Sequence, residues 1–368
     1  MTKILVTGSE GFIAKNLITF LKEKKNTEII TFDKRNNLDE LKKNIFHSDL
    51  IFHLAGENRS EDKTAFKRNN ADLTEKICEF IVDSKRNVPI LYSSSVKVIE
   101  RSHYGKSKKK AEDILLKFSK KYSNPITIYR LPNVFGKWCK PNYNSVVATF
   151  CSNIIDGKQL EVHDPKSKLT LVYIDDLIKE FSNFIQSHDY FGFKEISNTY
   201  TTSLEDIVKK LEFYKASRKN LIVERVGTGF DRALYSTFIS YLKPKNFSYN
   251  LKINEDHRGI FGEFLKTKDS GQFSFFTVNP KKIRGGHYHH TKNEKFLILK
   301  GKAEFRFRNL KDGKKYSLKI DSNKKRVVET VPGWSHDIKN IGTEELIVMI
   351  WANEIFDEKE PDTYQFEI

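Results

Sequence analysis

The sequence has little of what would place a chain in a membrane or hold it together by disulfides. Only three of its 368 residues are cysteine, Cys78, Cys139 and Cys151. They are odd in number and lack metal-type pair spacing, so buried or idle thiols are expected rather than bridges. Long apolar runs are also missing: none approaches the length needed to span a bilayer. Met1-Thr2-Lys3 leads straight into a strand-like ILVTG, so no signal peptide is expected. A soluble, cytoplasmic protein with no membrane partner follows as the expectation. An arginine-rich arm and an aromatic-basic platform are lacking too. The formal charge is +16, but the lysines are scattered as KEKK, KSKKK and SNKKR among acidic residues. No nucleic-acid partner is expected, and such a surface suits an anionic small substrate equally well. Internal repeats and low-complexity segments are absent. The length exceeds one ordinary core and predicts two domains.

What is present divides the chain. Short apolar runs, ILVTG (4 to 8), EIITFD (28 to 33), LIFHLAG (50 to 56), PILYSSS (89 to 95) and TIYRLPN (127 to 133), alternate with helical patterns. In FIAKNLITFLKEK, for example, Ile13, Leu17, Phe20 and Leu21 recur at helical spacing. Alternation of this kind predicts an α/β, Rossmann-like doubly wound parallel sheet. A helix opened by a Ser N-cap is expected over 203–218. After it, a weakly patterned stretch ending in YLKPKNFSYN predicts a domain boundary near 245, giving domains 1–245 and 246–368. Beyond it, QFSFFTVN, KFLILKGKAEFRFR, KYSLKI, RVVETV and LIVMIW are separated by Gly, Asn, Asp and Pro turns. These predict an all-β barrel or sandwich.

Two clusters carry chemistry. The first strand ends in TGSEGFIA, where Gly8, Gly11 and Ala14 let the backbone turn, approach a pyrophosphate and pack a helix against the sheet. Asp33 closes the second strand at a distance suited to a ribose hydroxyl, which favours NADH. Lys34 and Arg35 after it suit the 2′-phosphate of NADPH, and the sequence leaves that choice open. The run Ser93-Ser94-Ser95 is followed by Tyr104 and Lys108, which sit one helical turn apart. A lysine so placed is expected to lower the phenol pKa and make Tyr104 a proton donor and acceptor near neutrality.

These residues, with FHLAG (52 to 56), Asn70, RLPNVFG (130 to 136) and LVYIDDL (171 to 177), resemble the extended short-chain dehydrogenase/reductases over roughly residues 1 to 180. The resemblance implies a Ser95, Tyr104, Lys108 catalytic triad, with Asn133 near a sugar nucleotide.

In the second cluster, GHYHH, His287 and His289 are two apart and would share one face of a strand. With Glu294 and the distant His336 they form a mixed N/O ligand set that suits Zn, Fe, Mn or Ni. The pattern resembles the two cupin motifs, Gly286-His287-x-His289-x₄-Glu294-x₆-Gly301 and Gly333-x₂-His336-x₃-Asn340, with Pro332 adjacent to the second glycine. The same strand also resembles the deoxysugar 3,5-epimerases, through DHRG (256 to 259) and RGGHY (284 to 288). There the matching histidine is a free base, and Arg258 and Arg284 are candidates for substrate contact. One histidine cannot coordinate a metal and abstract a proton as well. Metal ligation is therefore expected of His287, with the base unassigned and His290 a weak candidate.

Taken together, the chain resembles bifunctional bacterial capsular-polysaccharide enzymes of the UDP-N-acetyl-L-fucosamine pathway. Stretches such as FGKWCKPNYNSVVATFC (135 to 151), DRALYSTFISYL (231 to 242) and NEIFDEKEPDTY (353 to 364) carry that likeness. It implies a cupin (double-stranded β-helix) holding zinc that epimerises C3 of UDP-2-acetamido-2,6-dideoxy-4-hexulose. It further implies an NADPH-dependent reductase acting on C4, and a homo-oligomer formed through the cupin. The alternatives are a 4-keto-6-deoxy sugar nucleotide reductase with a purely structural metal cupin, and a non-catalytic NAD(P)-binding sensor.

Overall fold

The structure, a computed structural model, describes residues 1–162, 164–186 and 191–368. The chain divides into two compact units, Met1–Glu212 with Thr228–Leu242, and Phe213–Gly227 with Lys243–Ile368. Segment 213–227 groups with the second unit because Leu221 and Val223 bond the backbone of Lys266. Among the described residues no helix is long and apolar enough to cross a membrane.

The first unit is a doubly wound parallel sheet. Strands β1 (Thr2–Thr7), β2 (Thr27–Phe32), β3 (Leu50–His53), β4 (Ile90–Ser95) and β5 (Ile126–Leu131) belong to it. Next come β6 (Asn133–Phe135), β7 (Lys168–Tyr173), β8 (Phe191–Lys194) and β9 (Tyr200–Ser203). The main sheet has the order β2-β1-β3-β4-β5-β8, every pair parallel. Helices α1 (Phe12–Lys22), α2 (Leu38–His47), α3 (Lys63–Phe66), α4 (Leu73–Ser84) and α5 (His103–Tyr122) follow the strands, then α6 (Val146–Ile155), α7 (Ile174–Gln186), α8 (Leu204–Asn220), whose residues from 213 on group with the second unit, and α9 (Gly229–Ser240). Strand side chains alternate between faces. Thus Leu5 and Ile51 join a core with Leu41, Ile77 and Leu115 of α2, α4 and α5, while Phe52 stacks on Phe181 of α7 on the other face.

Two details depart from the sequence reading. The run 127–133 was expected as one strand, but β5 stops at Leu131 and the chain passes to a second sheet, β6-β7-β9. Pro132 lies at the break, where it has no N–H to give to the main ladder. Helix α9 falls in the stretch read as weakly patterned. Its buried face, Ala233, Leu234, Thr237 and Phe238, includes a threonine whose hydroxyl is satisfied by the Ala233 carbonyl, which hides the apolar periodicity.

In the second unit every strand pair of the two sheets is antiparallel. One sheet runs β10 (Ile253–Asp256), β11 (Gly259–Thr267), β12 (Gly271–Val278), β19 (Leu346–Ala352), β14 (Glu294–Lys300), β17 (Val327–Glu329). The other runs β16 (Lys315–Asp321), β15 (Lys302–Asn309), β18 (Trp334–Asn340), β13 (Ile283–Tyr288), β20 (Tyr364–Gln365). Their shared core, with Phe276, Phe296, Phe305, Ile338 and Val348, is that of the cupin-type barrel expected. Pro332 and Gly333 form its β17-to-β18 corner, closed by Trp334 N–H donating to the Val331 carbonyl.

A buried histidine ties the first unit together. His53 at the end of β3 contacts Thr7 Oγ1 of β1 at 2.8 Å and Thr74 Oγ1 of α4 at 2.9 Å. Burial, followed by the nearby Lys108 charge, pushes its pKa down from about 6.5 to about 3. The unfolded chain therefore takes up a proton that the folded one refuses as pH falls through 6.5, and stability is lost progressively toward pH 3. His53→Gln is expected to lower Tm at pH 7.5 but to flatten its acid decline between pH 6.5 and 4. An equally steep decline in the variant, measured by thermal melts across that range, would contradict this.

Candidate functional site

The cofactor end of the first unit is built by β1 and α1. Gly8 has φ +69°, and a Cβ there would lie 2.7 Å from Ala55 Cα, so β1 and the chain leaving β3 can meet only at a glycine. Gly11 caps α1 without a side chain, its N–H donating to the Gly8 carbonyl at 2.8 Å. Ala14 is buried, and packs the helix closely to the sheet. A cavity of about 610 Å³ opens beside them, lined among others by Gly8, Gly11, Asp33, Lys34, Ala55 and Arg68.

Asp33 lies where expected, but its carboxylate is already engaged. Arg35 Nε and Nη2 donate to its two oxygens at 2.9 and 2.6 Å, and Ser9 Oγ donates at 3.1 Å. The Arg35 guanidinium holds this carboxyl well below the usual carboxylate range. Lys34 is exposed, and Arg35 is itself 70% exposed in its side chain.

The structure brings Ser95, Tyr104, Lys108 and Asn133 to one cavity of about 740 Å³. Ser95 ends β4. Ser102 caps α5 through the Gly105 N–H at 3.0 Å, which sets Tyr104 in the first turn and Lys108 one turn on. Lys108 is 4% exposed; its Nζ donates to the Ser93 carbonyl at 2.9 Å and sits 4.7 Å from the Tyr92 ring centre. Burial pushes this amine down to about 7, opposed by Glu112. Tyr104 differs from the sequence expectation: burial pushes its phenol up, against a hydrogen bond with Ser95 that works the other way. Asn70, in a π-helical turn Lys67–Asp72, donates to Ser107 Oγ at 2.8 Å and to the Glu57 carbonyl at 3.0 Å. It packs the edge of the cofactor cavity onto α5.

In the second unit His287, His289, Glu294 and His336 converge, one donor atom from each lying within 4.8 Å of the others. Gly285 and Gly286 produce the convergence. Both have positive φ, and the register of β13 against β18 shifts between Gly285 and His287. A Cβ on Gly285 would meet the His336 carbonyl at 2.8 Å. The bulge swings His287 directly opposite His336, while β14 of the other sheet supplies Glu294. Glu294 Oε2 lies 3.3 Å from His289 Nε2 and 3.2 Å from His336 Nε2. Burial raises the Glu294 pKa, but His289 and His336 outweigh it and hold the carboxyl below its usual range. Burial likewise pushes His287 down to about 4, leaving a neutral imidazole with a lone pair to give. Nδ1 of His336 is buried without a hydrogen-bond partner, and its Nε2 faces the Glu294 carboxylate without the alignment of a hydrogen bond. An orphaned imidazole facing a carboxylate and two more imidazoles fits a divalent cation.

Arg258 and Arg284 border a cavity of about 300 Å³ together with His287, Glu294 and His336. Arg284 donates to the carbonyls of Thr277 and Gly259 at 3.0 and 2.8 Å, whereas Arg258 is held by Asp256. His290 is not brought to the cluster. It is exposed and packs edge-on against the stacked rings of Tyr288 and Tyr364. Two residues went unread: buried Lys292, lining a neighbouring cavity of about 280 Å³ with His287 and His289, and Asp362, whose carbonyl lies 2.6 Å from His289 Nδ1. Neither sits in a spaced motif. The three cysteines are free and buried.

The chain matches the model of the NAD dependent epimerase/dehydratase family over residues 4–196 and that of the Polysaccharide biosynthesis C-terminal domain over residues 254–364. It is 45% identical over 363 residues, 98% of each chain, to the UDP-2-acetamido-2,6-beta-L-arabino-hexul-4-ose reductase of Pseudomonas aeruginosa. It superposes with a TM-score of 0.93 on the capsular polysaccharide assembling protein CapF from Staphylococcus aureus, at 38% identity, covering 99% of this chain and 100% of that one. The UDP-glucuronic acid 4-epimerase from Bacillus cereus shares only the fold, with a TM-score of 0.56 and 18% identity over 65% of this chain and 98% of that one. Likeness of this extent, in sequence and in fold, places the chain in the NAD dependent epimerase/dehydratase family.

Proposed function

We propose that the protein is a bifunctional sugar-nucleotide enzyme. Its second unit epimerises C3 of UDP-2-acetamido-2,6-dideoxy-4-hexulose. Its first unit then reduces the C4 ketone with NADPH to UDP-2-acetamido-2,6-dideoxy-L-talose, a precursor of UDP-N-acetyl-L-fucosamine for capsule or O-antigen synthesis. The observation that carries the reductase half is the meeting of Ser95, Tyr104 and Lys108 beside the cofactor loop. The Pseudomonas aeruginosa relative, named a reductase of a UDP-linked 4-ulose, supports the substrate class. A homo-oligomer associated through the cupin belongs to the same proposal.

The nicotinamide would supply the hydride. Ser95 holds the ketone oxygen, and Tyr104, its pKa raised by burial, carries a proton at neutral pH and gives it to the oxygen as charge develops there. Lys108, its amine pushed down to about 7 by burial, lies one helical turn away to restore it. Such a general acid contributes roughly 10²- to 10⁴-fold. Tyr104→Phe should lower NADPH oxidation with the 4-keto sugar nucleotide by about that factor while leaving solvent deuterium exchange at C3 intact. Retained oxidation in the variant, or no consumption of NADPH or NADH by the native protein, would sink the assignment.

For the cofactor, Arg35 neutralises Asp33 at the mouth of the adenosine cavity and removes the charge that would repel a 2′-phosphate. A hydrogen bond to a charged group is worth about 1.5–3 kcal/mol. Arg35→Ala should therefore reduce kcat/KM with NADPH by roughly 10- to 100-fold and spare NADH. Equal losses with both cofactors in steady-state kinetics would count against NADPH specificity.

His287, His289, Glu294 and His336 would hold the ion, zinc in this proposal, which would supply Lewis-acid polarisation of a carbonyl. One observation favours a second reading, in which it only stabilises the barrel. The ligands come from both sheets, so an ion there would cross-link them. Chelation separates the two. A structural ion should cost Tm while deuterium exchange at C3 persists below the new Tm, and a catalytic ion should cost exchange first.

A further inference from the structure

The stretch 353–364 takes no part in either reaction as derived above, yet its end lies against a metal ligand. Asp362 accepts at its backbone carbonyl from His289 Nδ1 at 2.6 Å. Of the two neutral tautomers, only the one protonated on Nδ1 is compatible with that contact, since two acceptors at this separation repel. Nε2 then carries a lone pair and faces Glu294 Oε2 at 3.3 Å. A lone pair facing a carboxylate at this separation is an arrangement that a bound divalent cation would stabilise.

The Asp362 side chain fixes the same loop. Its carboxylate accepts from the backbone N–H groups of His290, Thr291 and Lys292 at 3.0, 2.9 and 2.8 Å, and from Thr291 Oγ1 at 3.1 Å. In return Lys292, 5% exposed, donates through Nζ to the Pro361 carbonyl and Thr363 Oγ1 at 2.6 and 2.9 Å. Strand β20 then pairs with His287 and Tyr288, and Phe366 N–H donates to the Gly286 carbonyl at 2.8 Å. Asp362 has φ +36°, a left-handed conformation that aspartate tolerates better than most residues and that its surroundings must hold.

We infer that Asp362 is a positioning residue for the metal site: its carbonyl sets the His289 tautomer and its carboxylate locks the loop between His289 and Glu294. The inference rests on the reading of the four-residue set as a divalent-cation site. Partners of this kind typically change metal affinity by about 10- to 100-fold.

The test is the zinc affinity of metal-stripped full-length protein, by competition with a chromophoric chelator, for wild type, Asp362→Ala and Asp362→Asn. Asp362→Ala should bind roughly 10- to 100-fold more weakly, and Asp362→Asn should recover part of the loss. Affinity of Asp362→Ala within about twofold of wild type, below that typical effect, overturns the inference alone. A wild-type protein that binds no zinc overturns the metal-site reading and the inference with it. Should Asp362→Ala fail to fold, ¹⁵N-histidine NMR of the zinc-loaded wild-type protein decides. Nδ1 of His289 should be protonated and Nε2 not, and the reverse tautomer overturns the inference.

Discussion

Lys108 fastens the reductase half together. Its amine is taken out of water and satisfied by the Ser93 carbonyl, so the first turns of α5 are held against the carboxyl end of β4. Everything the first unit can do chemically follows from that. Ser95 ends the strand, Tyr104 stands in the first turn of the helix, and the lysine's bond to the strand helps to fix the register in which the two meet. The same burial pushes the lysine down to about 7 and the tyrosine up. One geometric constraint therefore sets both the positions and the protonation states of the pair. The support extends inward, where Glu112, fully buried, accepts from Ser94 and a two-pronged Arg130.

In the second unit the corresponding constraint is the approach of β13 to β18. It needs glycine at 285, and it presents three imidazoles to a carboxylate arriving from the opposite sheet. His287, Glu294 and His336 are thus brought together by barrel closure, with His289 added from the loop after β13, which is why a bound ion would act on fold and on chemistry together.

Much of this was legible in the sequence because it is local. A strand, a glycine turn and a helix announce a nucleotide loop. Tyr104 and Lys108 share a helix face by spacing alone. His287 and His289 were expected on one strand; β13 in fact ends at Tyr288, and the two still converge because the glycine bulge redirects the chain. What the sequence hid is non-local. The engagement of Asp33 by Arg35 is a matter of rotamers, and burial reverses the shift expected at Tyr104. Asp362 reaches His289 across 73 positions. Helix α9 was missed because its buried face includes a hydroxyl. His290, adjacent to a ligand in sequence, lies at a bend beyond the end of β13 and packs against Tyr288 and Tyr364 instead of the cluster.

The central claim is that one chain both inverts C3 and reduces C4 of the same 4-keto sugar nucleotide. Turnover in D₂O with unlabelled NADPH, followed by mass spectrometry and NMR of the product, tests it most directly. The product should carry one non-exchangeable deuterium, at C3, and a cofactor-derived protium at C4. A reduced product with protium at C3 would contradict the epimerase half, and deuterated substrate that is never reduced would contradict the reductase half.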